Sequence, residues 1–355
     1  MDFENKDRVI TQKDVAKMAG VSPSVVSYVI NNGPRPVSED ARRRVVDAIN
    51  RLEYTPNRFA QQLMRDKWQS QDRNQFAVVM GGGANNLQRP FYASILNGIF
   101  DEARETDRRV LSIQFLTDLL DPVLFNTFAN SREIFGIVLI AINSFYVSEE
   151  EQDVLDRIIG RFDNVISIER KLKDLPAVTL DLQEAGSIAT QHLINLGHSK
   201  IAYIGTRDPR FTGYQLSLLN AGIPQNEALQ LVIRPAILNY QVGYESAAKL
   251  MESSEHVTAI FAASDEVAIG ALRYFQAHNI SVPGDVALVG VDNIEQSAYT
   301  FPALTTVQIP KVELGKHSVR MLIDRSTRPD SPAISHVMPA ELIVRESCGA
   351  NQVKR

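Results

Sequence analysis

Apolar residues recur at helical spacing in three N-terminal stretches, and from Gln75 onward they fall in short runs separated by amphipathic segments. The first stretch opens at Thr11 and puts Val15, Ala16 and Ala19 on one face. Gly20 ends it, because a residue without a Cβ turns the backbone freely. Ser22 then caps a second helix, with Pro23 at its first position, where a missing N–H costs nothing. The spacing predicts that this helix buries Val25, Val26, Val29 and Ile30 and turns Ser24, Ser27 and Tyr28 outward. Ser38 caps a third helix, with Glu39 and Asp40 in its electropositive first turn. The predicted apolar stripe there is Val45, Val46, Ile49 and Leu52, with Arg42, Arg43 and Arg44 near solvent.

The later runs predict strands over 76–80, 110–115, 136–141 and 165–168, then a second series over 177–180, 201–204, 229–233, 259–263 and 286–291. Helical periodicity separates them over 91–104, 184–196, 242–251 and 266–278. Such alternation predicts an α/β body of parallel sheets covered on both faces, here as two doubly wound lobes. Ligands bind such lobes at the carboxyl ends of the strands. The N-terminal pair of helices about a Gly-containing turn reads as a helix-turn-helix, whose second helix enters the DNA major groove.

Charge sharpens that division. Residues 8–67 hold 11 Lys+Arg and 6 Asp+Glu, a balance of +5, so the whole-chain charge of −5 leaves −10 for the remainder. A basic segment suits phosphate contact, and the acidic remainder has no such use. The chain of 355 residues suits a small module joined to a two-lobed body. One cysteine, Cys348, excludes a disulfide framework and a Cys-based zinc site, and the six histidines show no metal-ligand spacing. No apolar run reaches the roughly 18 residues of a membrane span, and MDFENKDR lacks the layout of a signal peptide, so a cytoplasmic protein is expected.

The phrases KDVAKMAGVSPSVVSYVINN (13–32) and YTPNRFAQQL (54–63) resemble the lactose/galactose repressor family of bacterial transcription regulators. So do 185–205, 258–292, 304–307 and 341–347 in the body. The resemblance implies a helix-turn-helix domain over 8–55, a hinge helix and linker over 56–74, and a periplasmic-binding-protein-like body over 75–350. It places the first lobe at about 75–175 and 302–329 and the second at about 176–301 and 330–350, with crossings near Pro176, Phe301 and Pro329. It implies DNA contacts from Thr11, Ser22, Pro23, Ser24, Ser27, Tyr28, Asn31 and Ser38, and from Asn57, Ala60 and Leu63 in the hinge. Leu63 matches a leucine pushed into the minor groove at the operator centre. Tyr28 stands where many relatives carry an outward arginine, and a tyrosine cannot make the bidentate arginine–guanine contact, so a different half-site is expected.

For the effector, the resemblance implies Phe91, Tyr92, Arg210, Ser264 and Asp292. Arg210 matches a clamping arginine and Asp292 an aspartate that accepts from sugar hydroxyls. Read from the residues alone, Asp292 could instead cap a helix near Ile294, and Phe91 could be core. The loop before Arg210 is short for the family, and Leu238 stands where an aromatic often stacks on a sugar ring. The expected protein is a homodimeric, operator-binding repressor controlled by a sugar or sugar derivative, with a purine as the second choice. No cofactor, metal, membrane or catalysis is expected. The alternative is a cytosolic sugar- or nucleotide-metabolising enzyme with a helical appendage. Asp265-Glu266 reads as a helix start rather than an acid/base pair, and Gly81-Gly82-Gly83 lacks the spacing of a dinucleotide loop.

Overall fold

A computed structural model describes residues 11–31, 37–52, 54, 74–129, 133–142, 148–233, 238–253, 255–328 and 332–350. The chain divides into two units, Met1–Asp72 and Arg73–Arg355. The expected hinge helix, with Asn57, Ala60 and Leu63, lies outside the described residues, as does the side chain of Asn31.

The first unit holds α1 (Gln12–Ala19), α2 (Pro23–Asn31) and α3 (Glu39–Leu52). Thr11 fixes the start of α1 by donating from its backbone N and Oγ1 to Asp14 Oδ2, at 2.8 and 2.6 Å. Gly20 follows in the left-handed region at φ 63°, and the Val21 N–H reaches back to Ala16 O at 3.0 Å. Ser22 and Ser38 accept from the N–H groups of Val25 and Ala41, as their cap positions predict. The core gathers Val15, Ala16, Ala19, Val26, Val45, Ala48 and Tyr54. Val46 departs from the expected stripe: it is 44% exposed, because the helix turns it out while Ala48 takes the inward place. Val25, Val29 and Ile30 are half-buried, and so are Ser27 and Tyr28, expected outward; only Ser24 of those three is fully exposed.

The second unit has twelve described strands. They are β1 (Gln75–Met80), β2 (Arg109–Phe115), β3 (Ile134–Ile140), β4 (Val165–Glu169), β5 (Ala177–Leu180) and β6 (Ile201–Gly205). The others are β7 (Gln230–Val232), β8 (Ala259–Ala262), β9 (Ala287–Asp292), β10 (Thr305–Gln308), β11 (Ser335–Met338) and β12 (Glu341–Ile343). Among the helices between them are α4 (Pro90–Glu105), α5 (Pro122–Ala129), α6 (Glu149–Arg161) and α7 (Leu182–Asn195). They continue with α8 (Pro209–Asn220), α9 (Tyr240–Glu252), α10 (Asp265–Ala277) and α11 (Lys311–Thr327).

One sheet runs β11-β5-β4-β3-β1-β2 and the other β12-β10-β9-β8-β6-β7. Every pairing is parallel except β12 on β10. Continuous apolar runs such as Ala77–Met80 are buried throughout, as strands covered on both faces require. Gly98 and Gly315 let α4 and α11 touch backbone to backbone, since a Cβ on either would collide with the main chain of the other helix.

The topology corrects the expected crossings. Strand 177–180, expected in the second lobe, pairs with β4 and β11 in the first sheet, so the first crossing falls after Leu180 and not near Pro176. The second falls after β10, beyond Phe301, because β10 pairs with β9 in the second sheet. The third follows β11 rather than Pro329, because β11 still belongs to the first sheet. Hydrophobic alternation marks a strand but carries no information about which sheet edge it joins.

Candidate functional site

The carboxyl ends of strands from both sheets face one cavity, as the doubly wound rule requires. Ala141, Glu169 and Leu180 follow or close β3, β4 and β5, while Thr206, Ser264 and Asp292 follow or close β6, β8 and β9. Arg89, Phe91 and Tyr92 complete the first lobe's wall at the start of α4, and Asp208, Arg210 and Leu238 that of the second.

In the second lobe, Asp208 organises the start of α8. Its Oδ1 accepts from the Arg210 backbone N–H at 2.9 Å and from Nε at 3.1 Å, and its Oδ2 accepts from Nη2 at 2.6 Å. Arg210 Nη1 donates to Ala263 O. Burial alone would raise the Asp208 pKa, but the charge and hydrogen bonds of Arg210 outweigh it and hold that carboxyl below the usual range. Asp292 ends β9 with φ 115° and is 7% exposed. Burial raises its pKa to about 6, against the attraction of Arg210, Lys311 and Arg89. Lys311 donates to the main-chain oxygens of Asp292, Asn293 and Ile309. Behind it lies Asp265, fully buried, which accepts from Thr306 Oγ1 at 2.6 Å and from the Ile294 N–H at 2.9 Å. Burial and the charge of Asp292 push Asp265 up to about 8.

The first lobe contributes a cation and an acid. Arg89 donates through Nε and Nη2 to Glu266 Oε2, at 2.9 and 2.8 Å, and through Nη2 to Leu238 O at 3.1 Å. This joins the first turn of α4 to the first turn of α10 across the cleft. Tyr92 lies beneath the Arg89 guanidinium, 5.6 Å from ring centroid to Cζ, and packs edge-on against Phe91. Glu169 has φ 73° and accepts from the Ala141 N–H at 2.9 Å; burial raises its pKa to about 7.

All five residues expected at the effector site line this cavity. The Ser264 hydroxyl is committed to capping α10 through the Val267 N–H, and Phe91 also belongs to the core. The capping alternative for Asp292 is displaced, because Asp265 takes the Ile294 N–H. Leu238 lines the cavity in place of an aromatic, while Asn239 caps α9 and Tyr240 is 41% exposed. Arg89, Glu169, Asp208 and Glu266 are absent from the sequence-based set. The strand ends and the helix-start prolines Pro90 and Pro209 were the signals that could have found three of them.

In the first unit Arg44 bridges Ala19 O at 3.2 Å and Asp40 Oδ2 at 3.1 Å, and Arg43 meets Asp40 Oδ1 at 3.2 Å. Part of the arginine cluster therefore ties α3 to the end of α1. Arg42 is exposed.

Residues 11–57 match the family described as bacterial regulatory proteins, lacI family, and residues 190–348 match the periplasmic binding protein-like domain. Catabolite control protein A of Priestia megaterium is 30% identical over 321 residues, covering 88% of this chain and 91% of its own. The chain belongs to the lacI family. It is a DNA-binding transcription regulator and not an enzyme. The HTH-type transcriptional repressor PurR of Haemophilus influenzae is 28% identical, covering 95% of this chain and 98% of its own. The solved complex of the transcriptional regulator CelR with cellobiose is 28% identical with a TM-score of 0.69, covering 95% of this chain and 99% of that one. Among the described residues, no helix of this lacI-family member is long and apolar enough to cross a membrane.

Proposed function

We propose that this regulator represses transcription as a homodimer on palindromic operators, and that a sugar or sugar derivative held between its lobes sets its DNA affinity. The observation that carries the effector reading is convergence: Phe91, Tyr92, Arg210, Ser264 and Asp292 come from different elements of both lobes and line one space. Convergent polar groups in an interlobe cavity are the usual form of a small-molecule site. The CelR–cellobiose complex supports a sugar. The cavity, about 140 Å³, is small beside the roughly 300–1,000 Å³ of drug-sized sites, so a disaccharide requires the lobes to part.

The DNA reading rests on α2, capped by Ser22, with Ser24 exposed and Ser27 and Tyr28 half-buried on it. Thr11, Ser22, Pro23 and Ser38 stand at helix starts, where backbone N–H groups meet phosphates. Asn31, Asn57, Ala60 and Leu63 complete the interface, with Leu63 as the minor-groove wedge. One helix-turn-helix reads a half-site, so a two-fold operator requires a two-fold dimer. An effector changes operator affinity only by binding the DNA-competent and DNA-free states unequally. Titrating a labelled operator with the protein, with and without members of a sugar panel, tests this. At least one sugar should change the operator affinity by about fivefold or more; unaltered binding across the panel contradicts the effector reading.

A further inference from the structure

The cavity's charged groups are unequally committed. Both nitrogens of the Arg210 fork that face Asp208 are bonded to it, and the third donates to Ala263 O. Arg89 is likewise held by Glu266 and Leu238 O. Neither guanidinium presents an open fork to a phosphate or carboxylate of a ligand.

Two of the acids, Asp292 and Glu169, are in the opposite condition. Among the described residues, the Asp292 carboxylate receives no hydrogen bond, although the residue is 7% exposed and lines the cavity. Lys311, a buried cation beside it, spends its three donors on main-chain oxygens. Glu169 accepts one hydrogen bond, from the Ala141 N–H. Glu169 ends β4 of the first lobe and Asp292 ends β9 of the second, so the two acids face the same space from opposite lobes. Arg170 shares the wall beside Glu169.

We infer that the effector carries a protonated amine among its hydroxyls, as in an amino sugar or a polyhydroxylated amine, and that the ammonium group bridges Glu169 and Asp292. This rests on the reading of the cavity as the effector site. A buried carboxylate without a full set of donors is costly, and a ligand ammonium supplies the donors that Arg89, Arg210 and Lys311 spend elsewhere. Burial raises the pKa of both acids, outweighing the attraction of Arg210, Lys311 and Arg89 on Asp292 and of Arg89 and Arg170 on Glu169. Ligands bearing phosphate or carboxylate would meet these acids with like charge and find the forks of Arg89 and Arg210 already engaged.

Calorimetric titration of the full-length protein with hexosamines, the parent hexoses, the N-acetylhexosamines and the hexose 6-phosphates tests the assignment. A hexosamine should bind and lose about tenfold or more in affinity on N-acetylation, which removes the charge. Glu169→Gln and Asp292→Asn should each weaken that hexosamine by a similar factor, with thermal midpoints confirming that the variants fold. Binding by parent hexoses or phosphates alone, absence of any hexosamine binding, or variants indifferent to the amine would each overturn the assignment. Operator binding measured on the same samples separates the two levels. A regulator that responds to a neutral sugar keeps its proposed function and loses the amine; one that binds no operator loses both.

Discussion

Arg89 and Glu266 hold the two lobes together across the cleft: Nη2 of the first lies 2.8 Å from Oε2 of the second. Their side chains are 28% and 6% exposed, so the pair is largely shielded from solvent. Removing one partner of such a pair leaves a buried charge, at a cost on the order of 3 kcal/mol. Because the two residues sit on different lobes, that cost falls on closure. Glu266→Ala should widen the body in small-angle scattering and lower its thermal midpoint by several degrees. The reversed pair, Arg89→Glu with Glu266→Arg, should recover part of both; scattering unchanged in the single variant would show that the contact does not hold the lobes.

Arg210→Ala carries a structural cost as well as a functional one. It strips Asp208 of two hydrogen bonds within the second lobe, from Nε and Nη2, and leaves the one from the backbone N–H. The expected loss is about 3 kcal/mol of body stability by denaturant unfolding, together with loss of the effector response. Equal stability of variant and wild type would mean that Asp208 finds another partner.

Stability of the body should fall as pH rises from about 4 to 8. Glu169, Asp292 and Asp265 are raised by burial to about 7, 6 and 8, from ordinary values of 4.5, 3.8 and 3.8. The folded state therefore holds protons that the unfolded chain has released, and stability is lost through that window. Arg89, Arg170, Arg210 and Lys311 oppose the effect, while Tyr92, Asp208 and Glu266 are the other titratable groups around the cleft. Thermal midpoints across this range should show a shallower fall in Glu169→Gln; identical slopes would remove Glu169 from the effect.

Gly20 tests the helix-turn-helix geometry. Its φ of 63° costs an L-residue about 1–2 kcal/mol, so Gly20→Ala should weaken operator binding while leaving effector binding intact. Equal operator affinity would argue that the turn relaxes without cost.

The helix-turn-helix was legible because its signals are local: Thr11, Gly20, Ser22, Pro23 and Ser38 act within a turn of themselves. Strand positions in the body were legible for the same reason. The allotment of 177–180 to a sheet was not, since it depends on pairing with β11, more than a hundred residues away. The cleft residues implied by family resemblance do line the cavity. Arg89 was missed and Glu266 was read only as a helix start, because their meaning lies in each other, 177 positions apart. Glu169 escaped because an acid at a strand end looks like any surface acid until burial is known.

Leu63 lies outside the described residues, and the wedge proposed for it rests on resemblance. Leu63→Ala keeps helix propensity and removes the wedge, which unstacks a base step at a cost of a few kcal/mol. Specific affinity and operator bending should fall, with non-specific affinity unchanged. An unaltered bend angle by circular-permutation gel shift would end the wedge reading.

Operator selection from a random DNA pool with the full-length protein tests whether it is a sequence-specific, dimeric DNA-binding regulator. A two-fold symmetric site should be enriched, with an affinity that falls steeply with salt, because the +5 segment over residues 8–67 meets phosphates. Enrichment of no sequence, or binding indifferent to salt, would contradict this reading.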